Sequence, residues 1–305
     1  MMNSSWIRWV GAILTIAALL YVGAQLFRSS SEIAQNFANP LFLAATLGGG
    51  IVYALLALLI GSAWHLLLQS AAPSSLTFRQ SIVIFGKSQF LKYLPTNLVH
   101  LAGRYALARA ARVPHSAIAL STILEFALIT AAALGLAVML ARPFLIHAVE
   151  DERLVDLLTI ALIIGVAIAG AAGLVLVLFR KKVAGRALQR MIVASLAAVA
   201  LYIVFFVLNG LLLEMIITAL AGSGIGLQIS VLGLVAAAWT AGFLVPGAPA
   251  GIGVREAALI TGLQIIDASI PAVSVALAYR VATLLGDGLL AALSALADRR
   301  AEKPV

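Results

Sequence analysis

Pro246-Gly247-Ala248-Pro249-Ala250-Gly251-Ile252-Gly253-Val254-Arg255-Glu256 sets two prolines and three glycines between two apolar segments of the chain. Proline removes amide donors and glycine admits backbone conformations that other residues avoid. The run therefore breaks any helix crossing it and leaves peptide groups without partners. Inside a bilayer only protein or water supplies such partners. The helical pattern resumes at Arg255, which predicts a helix N-terminus, with free amides and the positive end of its dipole, near membrane depth beside a guanidinium. That combination attracts anions.

An earlier stretch, Leu94-Pro95-Thr96-Asn97-Leu98-Val99-His100-Leu101-Ala102-Gly103-Arg104, has the same frame. Proline precedes arginine by nine positions in both, and the two copies lie 151 residues apart, about half of the 305-residue chain.

The composition fixes the class. The chain is 63% hydrophobic and 10% charged, with a mean hydropathy of +1.10, whereas soluble domains carry roughly 25% charged residues. This is the composition of a polytopic membrane protein. The absence of cysteine excludes disulfides and thiolate metal sites. A formal charge of +8 would suggest nucleic acid for a soluble chain, but here most basic residues flank apolar spans, as positive-inside topology requires. No nucleic-acid partner is expected. The first apolar segment, Trp6 to Phe27, is longer than a signal-peptide core and reads as a retained span.

Segments long enough to cross a bilayer, about 20 apolar residues, are Trp6 to Phe27, Leu41 to Gln69, Pro114 to Ala141, Leu154 to Phe179, Met191 to Ala221 and Pro271 to Ala297. Shifting the first three by 151 residues lands each on a span of the second half, and the arm Leu76 to Leu94 lands on Leu227 to Val245. The helical pieces after each break are too short to cross. The expected fold is an all-α polytopic membrane protein, a single integral membrane domain over residues 1–305. It is built of two inverted repeats, about 1–149 and 150–305, each with three transmembrane helices and one re-entrant broken-helix hairpin. Three crossings per repeat is odd, so the repeats must be inverted, an arrangement that many transporters use to build a midplane site. With both termini cytoplasmic, 15 of the 20 basic residues fall on the cytoplasmic side and the cluster Glu150, Asp151, Glu152 and Asp156 lies outside. If the arms instead cross fully, Lys87, Ser88, Gln89 and Lys92 become hard to place in the first of them.

Ionisable residues inside spans cost roughly 2.5 to 3.5 kcal/mol each on insertion scales and are therefore functional or paired. Arg104 and Arg255 are the expected ligand-facing cations, each beside a broken backbone, with Arg280 assisting. Asn97, His100, Gly251 and Gly253 belong to the same two loops. Glu125, Glu214, Glu256 and Asp287 are candidates for pairing with the arginines or for carrying coupling protons; a structural ion pair such as Arg280 with Glu256 is the plainer alternative. Arg280 and Asp287, seven apart, share a helix face. His65, His115 and His147 have no partners at metal-ligand spacing, and the glycine-rich run has neither a Walker lysine nor a preceding strand. No metal, cofactor or catalytic constellation is expected. The run Gly48-Gly49-Gly50 suits close helix packing.

At Leu94-Pro95 through Gly103-Arg104 with Val113-Pro114, and again at Val245-Pro246-Gly247 through Gly251-Ile252-Gly253-Val254-Arg255-Glu256, the chain resembles the lysylphosphatidylglycerol synthase transmembrane-domain family; Glu125 and Arg280 fit the same pattern. The first motif departs from it, with Thr96-Asn97 where the family often carries Pro-Gly. The resemblance implies a flippase-like lipid transporter of a bacterial or archaeal cytoplasmic (inner) membrane that handles an anionic lipid or polyprenyl phosphate. It does not imply aminoacyl transfer. Two alternatives remain: a non-transporting membrane partner that delivers lipid to a glycosyltransferase or envelope enzyme, and an intramembrane lipid-modifying enzyme.

Overall fold

The computed structural model describes residues 4–93, 99–141, 144, 146, 185–221, 228–245 and 248–301. Among these residues there is no strand. The helices are α1 (Ser4–Arg28), α2 (Ser30–Phe37), α3 (Pro40–Ala71), α4 (Phe78–Gln89), α5 (Val99–Ala110), α6 (His115–Leu140), α7 (Gly185–Ala221), α8 (Ile229–Leu244), α9 (Val254–Ile266) and α10 (Ala272–Ala301). Short 3-10 turns occupy Phe90–Tyr93 and Pro249–Gly251. The expected span Leu154 to Phe179, the acidic cluster at its start, and Pro95, Asn97 and Pro246 lie outside the described residues.

Local chemistry sets the helix starts. The Asn39 side chain accepts hydrogen bonds from the Leu41 and Phe42 amides at 2.9 and 3.4 Å, with Pro40 at the first helical position, the residue types that favour a helix start. At the head of α4, the Thr77 hydroxyl accepts from the Gln80 amide at 3.3 Å and the Gln80 side chain accepts from the Thr77 amide at 2.9 Å. This reciprocal cap fixes where the first arm begins.

Among the described residues four helices, α3, α6, α7 and α10, are long and apolar enough to cross a membrane. Only 28 to 39% of their most apolar windows is buried within the protein, so apolar side chains also cover the outside: Leu55, Ile123, Met139 and Leu196 are 61, 65, 77 and 66% exposed. A soluble monomer rarely presents so much apolar surface; in acyl chains it is the expected exterior. Over the described residues this is an all-helical membrane protein. The two arms are shorter helices. At 1.5 Å per residue the 12 residues of α4 and the 16 of α8 reach about 18 and 24 Å, short of a hydrocarbon core of about 30 Å.

Helix α3 sits at the centre, packed along α7 and α10 and touched by α4 and α6; α8 packs on α6, α7 and α9, and α4 on α10 and α5. The close approach of α3 to α10 depends on Gly50 and Gly286. A Cβ at Gly50 would lie 2.9 Å from that of Leu285, and one at Gly286 would lie 2.7 Å from the Gly50 carbonyl oxygen. Gly49 faces Leu212 of α7 and Gly48 faces open space, so the packing role expected of the glycine run belongs to its last two members. The two 3-10 turns touch each other. Turns far apart in sequence are thus brought together.

Candidate functional site

Where the turns meet, a cavity of about 350 Å³ opens, within the usual size range of ligand pockets. Arg104 and Arg255 both line it, together with Lys92, His100, Glu125 and Asp287. Charges from the turn before the first break, from α5 and α9 after the two breaks, and from α6 and α10 therefore line one space.

Helix α9 starts at Val254, one residue before the expected position, with Gly253 at φ 84° as its cap. Ala250 and Gly251 also have positive φ, 50° and 70°. The glycines serve the arginine. A Cβ at Gly242 of α8 would lie 2.5 Å from Arg255 Cγ, and one at Gly251 would lie 2.8 Å from Arg255 Nε. The Arg255 stem runs through this glycine slot, and its guanidinium lies 5.7 Å from the Trp239 ring centroid. Arg255 Nε is buried without a hydrogen-bond partner, and among the described residues no carboxylate pairs with this arginine. Gly253 packs against Leu19 of α1 and lies outside the cavity wall.

Glu256 has two other duties. Its Oε2 accepts the Gly253 amide at 2.6 Å, and its Oε1 lies 3.2 Å from Arg280 Nε. One of the amides expected to be free at this helix start is therefore satisfied by the chain itself, and Glu256 holds Arg280 instead of Arg255. A second space of about 30 Å³ is lined by Arg255, Glu256 and Arg280, so Arg280 stands beside the cavity. Its buried Nη2 has no hydrogen-bond partner among the described residues.

Arg104 departs from expectation. Helix α5 already begins at Val99, which puts Arg104 in its second turn, away from any free amides. It is 3% exposed, its Nη1 lies 3.0 and 2.9 Å from the two oxygens of Glu125, and its guanidinium sits 5.1 and 5.6 Å from the ring centroids of Trp64 and Phe85. Arg104 is thus a neutralised cation in an aromatic sleeve. Arg255 is a cation without a counter-ion among the described residues.

Arg280 and Asp287 share a helix but not a partner. Asp287 is fully buried, and its Oδ2 takes Lys92 Nζ at 2.7 Å and the Tyr93 hydroxyl at 2.5 Å. His100 lines the cavity with its Nδ1 buried and unbonded. Glu214 does not: it lies on α7 beside the Gln228 backbone. Asn209, near it in sequence, accepts the Tyr279 hydroxyl at 3.1 Å. Lys92, Tyr93 and Trp239 were not foreseen as site residues. Lys92 carried a signal, a cation three residues before Pro95 in an apolar arm; Trp239 and Tyr93 carried none.

Taken together, four cations, Lys92, Arg104, Arg255 and Arg280, stand around three carboxylates, Glu125, Glu256 and Asp287, at the junction of the breaks. Such a site can receive an anion through guanidinium groups whose planar forks match two oxygens together. No protein-family model, curated protein or solved structure matches the chain.

Proposed function

We propose that this protein is a lipid transporter of the flippase type in a bacterial or archaeal cytoplasmic membrane, and that its cavity holds the phosphate-bearing head group of an anionic lipid. One observation carries the reading. Two arginines 151 residues apart in sequence, each following a proline by nine positions, line one interior cavity in a protein with a lipid-facing surface, and among the described residues Arg255 has no carboxylate of its own. Phe243, which also lines the cavity, is 37% exposed at the bundle surface and stacks on Phe126 with centroids 5.5 Å apart. This offers acyl chains an apolar way out while the head group stays inside.

The halves are read as inverted repeats whose broken hairpins enter from opposite faces. Supporting this, the packing keeps its pattern when the halves are exchanged. The contact of α3 with α10 is matched by that of α7 with α6, α4 on α10 by α8 on α6, and α4 on α5 by α8 on α9, while α3 meets α7 and the two 3-10 turns meet each other. A site on such an axis is reachable from either side by rocking one half against the other.

Native mass spectrometry of the detergent-purified chain with mixed lipids tests the binding step. Anionic phospholipid retained in preference to phosphatidylcholine, with retention lost in Arg255→Gln, is expected. Equal retention of both lipids, unchanged by the substitution, would refute it.

A further inference from the structure

The charges around the cavity do not cancel. Among the described residues Lys92 is matched by Asp287, Arg104 by Glu125 and Arg280 by Glu256, and Arg255 is left over. The short segments outside the described residues at the breaks, 94–98 and 246–247, hold no ionisable side chain. His100 is neutral above the ordinary imidazole range. Interior charge is costly unless compensated, so the occupant that brings the site to neutrality carries one negative charge. We infer that the cavity selects a singly charged phosphodiester head group over a doubly charged phosphomonoester such as a phosphatidate or a polyprenyl phosphate. This rests on the lipid-binding reading above and sharpens it.

The hydrogen bonds agree with the charges. Arg255 Nε and Arg280 Nη2 are buried donors without a partner among the described residues, and the two arginines line neighbouring spaces that share Arg255 as a wall. The oxygens of one diester phosphate can meet the Arg255 fork without displacing a carboxylate. A phosphomonoester brings a second charge, which needs a cation already engaged by Glu125, Glu256 or Asp287. Binding it means breaking a buried ion pair or taking up a proton.

The test measures binding of short-chain lipids to the purified full chain at pH 8. A phosphomonoester is doubly ionised there, since its second pKa is about 6, and a diester is singly ionised. The probes are dihexanoyl phosphatidylglycerol, dihexanoyl phosphatidate and inorganic phosphate. Wild type should bind the diester at least about tenfold more tightly than the monoester, a difference of about 1.4 kcal/mol. Glu125→Gln on α6 and Asp287→Asn on α10 each add one net positive charge, and both should narrow or invert that preference. Two variants are used so that one failing to fold leaves the other. Arg255→Gln should weaken the diester more than tenfold. A wild type that binds the monoester as tightly as the diester, or folded variants that keep the wild-type preference, would overturn the charge rule while leaving the lipid site standing. Inorganic phosphate competing as strongly as the diester would assign the cavity to a free anion, and binding of neither lipid would remove the site reading itself.

Discussion

The two arginines should fail in opposite ways, and this follows from their surroundings. Substituting Arg104 by glutamine leaves Glu125, 5% exposed, as an unpaired buried carboxylate. Removing one partner of a buried pair costs about 3 to 5 kcal/mol. At about 2 °C per kcal/mol for a chain of this size, the apparent Tm should fall by about 6 to 10 °C. Glu125→Gln in the same chain removes the orphaned charge and should recover most of the loss. Arg255→Gln has no partner to orphan. It forfeits a cation–π contact worth about 0.5 to 2 kcal/mol but also relieves the burial of an uncompensated cation, so its Tm should move by no more than about 2 to 4 °C while lipid binding disappears. The assay is thermal unfolding of both single variants and the double variant in one detergent, alongside lipid retention. An Arg255→Gln protein destabilised as much as Arg104→Gln would show that Arg255 has a structural counter-ion and refute the reasoning.

Gly242→Ala and Gly251→Ala place a Cβ 2.5 and 2.8 Å from Arg255 atoms, and each should displace the guanidinium and abolish binding; the Gly251 variant adds the strain of φ 70°, about 1 kcal/mol or more, and normal binding by both would show that the slot does not position Arg255. Glu256→Gln keeps an oxygen to accept the Gly253 amide but discharges the contact with Arg280, so it should be less destabilising than Glu256→Ala, which loses the cap as well, about 1 kcal/mol; equal Tm values would deny the capping role. In a chain without native cysteine, Ser74→Cys should label from the cytoplasm and Ser269→Cys from the outside, and labelling of both from one side would sink the proposed topology.

The break was readable because proline and glycine act on the backbone wherever they fall: Gly251 and Gly253 have the positive φ that the run implied, and α9 starts within one residue of the expected point. Long apolar spans were readable for the same local reason, with α3 at Pro40–Ala71 against an expected Leu41 to Gln69. The first motif misled because between Val99 and Ala102 nothing breaks a helix, so α5 begins early and carries Arg104 away from its end. Pairing is a different matter. That Glu125 neutralises Arg104, and that Asp287 takes Lys92 from nearly 200 positions away, depends on how α5 packs on α6 and α4 on α10, which no periodicity encodes. The slot at Gly242 was equally hidden, since it exists only where α8 meets the loop before α9.

Transport is the central claim, and leaflet exchange measures it directly. In proteoliposomes holding a small fraction of phosphatidylglycerol labelled on its head group, a membrane-impermeant quencher bleaches the outer leaflet at once and the inner leaflet only as lipid crosses. Wild type should bleach nearly the whole signal, Arg255→Gln should stop at about the half accessible in empty vesicles, and a labelled phosphatidylcholine should stay near half with either protein. Wild-type vesicles that stop at half while the same protein retains the lipid in mass spectra would contradict transport and leave a lipid-holding membrane partner in its place.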